Sequence, residues 1–115
     1  MLRGELWQVD LDPVRRSEAN KQRPAVIVSN DRANAAATRL GRGVVTVVPV
    51  TSNTDEVYPF QVQLAAATSG LAVDSKAQAE QVRSVATQRL LHRVGQVFPA
   101  EPADLDDALR LHLAL

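Results

Sequence analysis

Arg23 ends a polar stretch, directly before Pro24 and the branched apolar run AVIV at residues 25–28. Thr51, Ser52 and Asn53 follow directly on a second such run, VVTVVPV at residues 44–50. Both groups therefore stand at the ends of segments with strong β character, rigidly mounted yet able to reach solvent. A guanidinium offers planar, permanently charged donors that match phosphate. A threonine hydroxyl donates or accepts. Together they can stabilise the charge of a phosphoryl transition state without a metal. Most Arg-Pro pairs are only loop ends, so on residue types alone the solvated-loop reading of Arg23 stays open.

Other chemistries find little support. His92 and His112 are far apart and have no partner at metal-ligand spacing, so they read as surface or helix-end residues. Asp10 and Asp12 lie two apart on one strand, and Asp106 and Asp107 share a first helical turn; neither pair converges on a cation. There is no cysteine, which excludes a disulfide framework, a thiolate metal site and a cysteine nucleophile, and which fits a reducing cytoplasm. No glycine loop for phosphate is present, and no Ser or Thr has a histidine base nearby in sequence. Neither a metal nor a cofactor is expected.

The net charge is zero, with 13 basic and 13 acidic side chains. That argues against tight non-specific binding to nucleic acid. The charges are unevenly spread, however. Residues 1–48 carry eight basic and five acidic groups, and residues 49–115 the reverse. The expectation is either an electropositive patch near the N-terminal loop or intermixing on the folded surface.

The elements that must hold these residues can be read from periodicity. At 115 residues the chain predicts one domain, 1–115. Aromatic residues are 3% of it, so branched aliphatics must fill the core. LWQVDL alternates and predicts a half-buried strand, stopped by Asp12-Pro13 before a long polar loop. PAVIVS predicts a central strand, and NDRANAAAT a short helix capped by Asn30 or Asp31. VVTVVPV predicts a third strand, in which Pro49 suggests an edge or a bulge. FQVQL predicts a fourth strand and TSGL a turn, and KAQAEQVRSV reads as mostly strand. TQRLLH predicts one helical turn capped by Thr87, and GQVF a last short strand. EPADLDDALRLHLAL is a clear helix with Pro102 in its first turn and a stripe of Leu105, Ala108, Leu109 and His112 or Leu113. The sum is mainly β with a C-terminal helix, a small and partly open barrel. The polar start of the chain is no signal peptide, and no apolar run is long enough to span a membrane.

Four blocks, taken in order, resemble the MazF/PemK family of toxins, mRNA-cleaving endoribonucleases of toxin–antitoxin pairs. They are RGELWQVDLDP, SEANKQRPAVIVSND, VVPVTSN and AEQVRSVATQRLLHRVGQV, and the final ALRLHLAL resembles the family's closing helix. The resemblance covers essentially the whole chain. It implies a small SH3-like barrel of the MazF/CcdB type, a homodimer, a MazE-like antitoxin as partner and a cytoplasmic setting. It places Arg23 and Thr51 as the catalytic pair. It also implies attack of an RNA 2′-hydroxyl on the adjacent phosphodiester, leaving a cyclic phosphate and a 5′-hydroxyl. By the same matching, Ser17, Glu18, Lys21, Ser52, Asn53, Gln81 and Arg83 contact single-stranded RNA. The chain departs from the family where Arg16 replaces a glycine, which bears on the loop contacts of Ser17 and Glu18.

Several residues have two readings. Glu80-Gln81-Val82-Arg83 is either part of the RNA surface or an ordinary strand with a solvated face. Trp7 alternates with Val9 and Leu11, which favours core packing over base stacking. Tyr58 and Phe60 flank Pro59 and can stack on a base or simply pack. At the level of function, a CcdB-like toxin that binds gyrase, or a barrel that binds RNA without cutting it, are the alternatives to the nuclease.

Overall fold

The computed structural model describes residues 1–11, 22–97 and 101–115. Its elements are β1 (Glu5–Asp10), β2 (Gln22–Ile27), α1 (Asp31–Leu40), β3 (Val44–Thr51), β4 (Gln61–Leu64), α2 (Ala66–Ser69), β5 (Ser75–Gln78), β6 (Arg83–Ala86), β7 (Leu90–Gln96) and α3 (Glu101–Leu113). The strands form one antiparallel sheet in the order β4-β5-β3-β2-β1-β7, with β6 also paired to β3. Among the described residues β4 and β7 end this path unpaired with one another, so the barrel stays open. The mainly β architecture with a closing helix is the one expected.

β3 is the centre of the sheet. Its VVTVVPVT sequence is dense in β-branched residues, which suit a pleated surface buried on both sides. One edge pairs with β2 from Val47 to Pro49. The other edge pairs first with β6, from Val44 to Val47, and then with β5 at Val50 and Thr51. Pro49 is therefore in a central strand, neither an edge nor a bulge. It lies in the gap between the residues paired to β6 and those paired to β5, where a missing N–H is tolerated.

Alternation along the strands gives two core clusters on opposite faces. Val26, Val48, Val50, Val62, Leu64 and Ala77 face one way, and α3 covers them with Leu105 and Ala108. Val9, Ala25, Ile27, Val45, Val47 and Val85 face the other, covered by Ala37 of α1. Trp7 packs against this second cluster while its indole N–H donates to Glu5 Oε1 (3.0 Å), so its core reading holds. The α3 stripe runs as expected through Leu105, Ala108 and Leu109 but stops there, because His112 and Leu113 are exposed.

Three local expectations are corrected. KAQAEQVRSV is two strands separated by a 3₁₀ turn at Ala79–Gln81, the step that lets the chain leave one stretch of β3 for another. TSGL is the end of α2, closed by Gly70 at a φ of 92°. Thr87 begins a 3₁₀ turn, Thr87–Arg89, and makes no cap; Leu90, Leu91 and His92 belong to β7, whose pairing to β1 outweighs their helical spacing.

α1 is tied to the sheet by a buried polar node. Asn30 caps the helix by accepting from the Ala33 N–H (2.8 Å), and Gly41 ends it in the left-handed region. Inside, the fully buried Asn34 donates to the Ser29 carbonyl (2.9 Å) and accepts from the Ser29 hydroxyl (2.5 Å). That hydroxyl accepts in turn from the Thr46 N–H of β3 (3.0 Å). Elsewhere, α2 approaches β7 very closely. A Cβ on Gly95 would lie 1.8 Å from the Ser69 carbonyl oxygen, and one on Gly70 2.7 Å from that of Val94.

Replacing Asn34 with Ala leaves the half-buried Ser29 groups without their partner. It is expected to lower stability by about 1–3 kcal/mol, read as a drop in the urea midpoint. Gly95→Ala must push the α2 turn off β7, a loss of about 1–3 kcal/mol to be seen as a lower melting temperature; an unchanged value would refute the close approach.

Candidate active site

The register of β2 and β3 brings the two ends flagged in the sequence together. Ala25 pairs with Pro49, so Arg23, two residues back, comes opposite Thr51, two residues on. The two residues line one pocket of about 310 Å³, with Ser52 on its rim and Leu71, Ala72 and Val73 as an apolar shelf. The shelf directly follows Gly70, so its position is set by the close approach of α2 to β7. Arg23 is exposed, and among the described residues no hydrogen bond or ion pair engages its guanidinium.

Thr51 is set up as a donor. Its Oγ accepts from the Asn53 N–H (3.2 Å), and Asn53 Oδ1 accepts from the Asp55 N–H (3.1 Å). These two turns fold the chain back just after β3. With its oxygen already accepting, the hydroxyl proton remains to be given to a ligand oxygen. Asn53 thus acts on Thr51 through its backbone while its side-chain carbonyl shapes the turn.

The segment after this turn lies over Lys76, which pairs with Thr51 from β5. Lys76 is only 7% exposed. Its ammonium donates to the Glu56 carbonyl (2.6 Å) and sits 5.8 Å from the centre of the Tyr58 ring. Tyr58 stacks on Phe60 with centroids 5.5 Å apart and planes at 8°. The Tyr58 hydroxyl donates to the Glu56 carboxylate, and that hydrogen bond, with the nearby negative charge, holds the phenol proton above its usual range.

Arg23 also forms the wall of a second pocket, of about 320 Å³, shared with Leu11, Pro49, Gln78, Gln81 and Arg83. Neither pocket is lined by a carboxylate among the described residues. Arg83 Nη1 donates to the Leu11 carbonyl (3.3 Å), so Arg83 both lines this pocket and braces the end of β1. The result is a continuous polar strip: Thr51 and Ser52 on one side of Arg23, Gln78, Gln81 and Arg83 on the other.

Of the residues expected at an RNA surface, Ser52, Gln81 and Arg83 therefore gather around Arg23 and Thr51, and Asn53 adjoins them. Ser17, Glu18 and Lys21, with the departing Arg16, lie outside the described residues. Gln78, Lys76 and the Leu71–Val73 shelf went unremarked in the sequence. The signal for the first two was present in KAQA, whose polar residues alternate with alanines as a one-sided strand. What it lacked was the pairing that puts this side of β5 next to Thr51.

Comparison with known proteins identifies the family. Residues 2–113 match the family model described as the PemK-like, MazF-like toxin of type II toxin–antitoxin systems. The chain is 73% identical over 115 residues to the endoribonuclease MazF9 of Mycobacterium tuberculosis, covering all of this chain and 98% of that one. It is 29% identical over 114 residues to the endoribonuclease EndoA of Bacillus subtilis, covering 98% of this chain and 94% of that one. The fold superposes on MazF in a MazE–MazF crystal structure from Deinococcus radiodurans with a TM-score of 0.77 at 26% identity, covering 100% of this chain and 96% of that one. This chain belongs to the PemK-like, MazF-like toxins of type II toxin–antitoxin systems.

Proposed function

We propose that this protein is the endoribonuclease of a toxin–antitoxin pair and cuts single-stranded RNA at the strip centred on Arg23 and Thr51. The observation that carries the reading is the meeting of these two side chains in one pocket, with no carboxylate among the described residues that line it. The names of the relatives, endoribonuclease in each case, favour a nuclease over a gyrase-binding toxin. The reaction is attack of a ribose 2′-oxygen on the adjacent phosphorus. The P–O5′ bond breaks, the 2′-hydroxyl loses its proton and the departing 5′-oxygen gains one, leaving a cyclic phosphate and a 5′-hydroxyl. Guanidinium groups do not give up their proton in proteins, so Arg23 serves as a fixed positive charge for the crowded phosphate. Thr51 donates its hydroxyl proton to a phosphate oxygen. Because the nucleophile belongs to the substrate, the chemistry needs RNA at the cut and draws on no metal ion.

The whole of residues 1–115 acts as one such toxin domain, working as a homodimer in the cytoplasm. A MazE-like antitoxin is its partner, as in the Deinococcus radiodurans complex. Among the described residues no helix is long and apolar enough to cross a membrane.

Purified protein should cut a single-stranded RNA oligonucleotide in excess EDTA, and one deoxyribonucleotide on the 5′ side of the scissile phosphate should abolish the cut. Equal cleavage of the deoxy-substituted strand would rule the mechanism out. Arg23→Ala should slow cleavage about 100- to 1,000-fold with an unchanged circular dichroism spectrum, because no contact among the described residues depends on its guanidinium. Arg23→Lys keeps the charge but not the planar fork, and its rate should fall between the two.

A further inference from the structure

We infer that Gln78 reads the base of one nucleotide next to the cleaved bond, an assignment that rests on the ribonuclease function proposed above. Gln78 lies two residues from Lys76, the partner of Thr51, so strand alternation puts both on the face that carries Arg23. Its side chain is half-buried and lines the second pocket beside Arg23, Gln81 and Arg83. Among the described residues nothing takes up its carboxamide. Its strand partner Gln61 differs in this respect, since its amide is held at both ends, accepting from the Tyr58 N–H (3.1 Å) and donating to Glu80 (2.7 Å). The amide of Gln78 stays open to solvent, so both its donor and its acceptor can be offered to a ligand.

The pocket's chemistry indicates which ligand. Two guanidiniums and no carboxylate among the described residues suit a phosphate. A carboxamide presents a donor and an acceptor side by side, the complement of a nucleobase edge. A volume of about 320 Å³ leaves room for a single nucleotide. Arg23 belongs to both pockets, so a phosphate held there has a nucleoside on each side. One rests against the apolar shelf Leu71–Val73, which makes no directional contact; the other enters the pocket with Gln78. Gln81 shares that pocket but is exposed on a 3₁₀ turn, whereas Gln78 is mounted on a strand paired to two others. Rigid mounting is what discrimination between base edges requires.

The test is digestion of an RNA pool randomised around the cut, with sequencing of the new ends. The unaltered protein should show a base preference at one or more positions around the scissile phosphate, one of them next to the cut. Gln78→Leu, similar in size but without donor or acceptor, should weaken the preference at one of those positions about tenfold and leave the others as they were. Gln78→Glu keeps the length and loses the donor, and should change which base is favoured at that same position. Unaltered preferences at every position in both variants overturn the assignment, even if the overall rate falls, since a uniform fall marks a packing role. A pool left intact by the unaltered protein overturns the ribonuclease reading itself, and Gln78 with it.

Discussion

β3 is hydrogen-bonded along both edges and buried on both faces, and the remainder of the molecule is arranged to meet those two demands. Its residues alternate strictly between two core clusters, Val48 and Val50 to one side, Val45 and Val47 to the other. Each side then needs a cover, and α3 and α1 supply one each. The same alternation leaves Thr51, the last residue of the strand, on the α1 face but beyond the reach of α1. A central strand is hard to displace, so a side chain at its end is held in place by the whole sheet. The β2–β3 register extends that precision to Arg23.

The α1 face is therefore divided. Its inner part is apolar and closed, and its outer part is polar and open, with Arg23, Thr51, Gln78 and Arg83 contributed by four strands. This sorting explains how a chain of zero net charge can present a basic strip. Several acidic side chains lie on α3, across the sheet, where Asp106 pairs with Arg3 (2.8 Å) and Asp107 with Arg110 (3.0 Å). The basic excess of the first 48 residues does not account for the strip by itself, because Arg83 comes from the acidic half. At the short distances of a pocket wall, the local arrangement outweighs the total charge.

Lys76 links site and loop. An ammonium so nearly excluded from water is costly unless it is well bonded, and the segment carrying Glu56 and Tyr58 supplies a carbonyl and an aromatic face. The segment that leaves Thr51 is thereby fastened over the strand that pairs with Thr51. Turn chemistry at Asn53 begins the fold-back, and burial of Lys76 completes it.

The sequence by itself determined what depends on near neighbours. Alternation and β-branched runs marked the strands, Asn30 or Asp31 marked the start of α1, and the order of short motifs pointed to the family. Arg23 and Thr51 stood out because each adjoins a β-branched run, and that is a local property. Where local signals misled, pairing had the deciding vote: Pro49 sits in a central strand because its neighbour changes there, and LLH joins β7 despite helical spacing. Only the tertiary structure decided that Arg23 faces Thr51, that Gln78 shares a pocket with Arg23, and that glycines 70 and 95 let the shelf approach. Those facts depend on strand register and on contacts between residues distant in the chain, and a one-residue slip of register would reverse which side chains share a face.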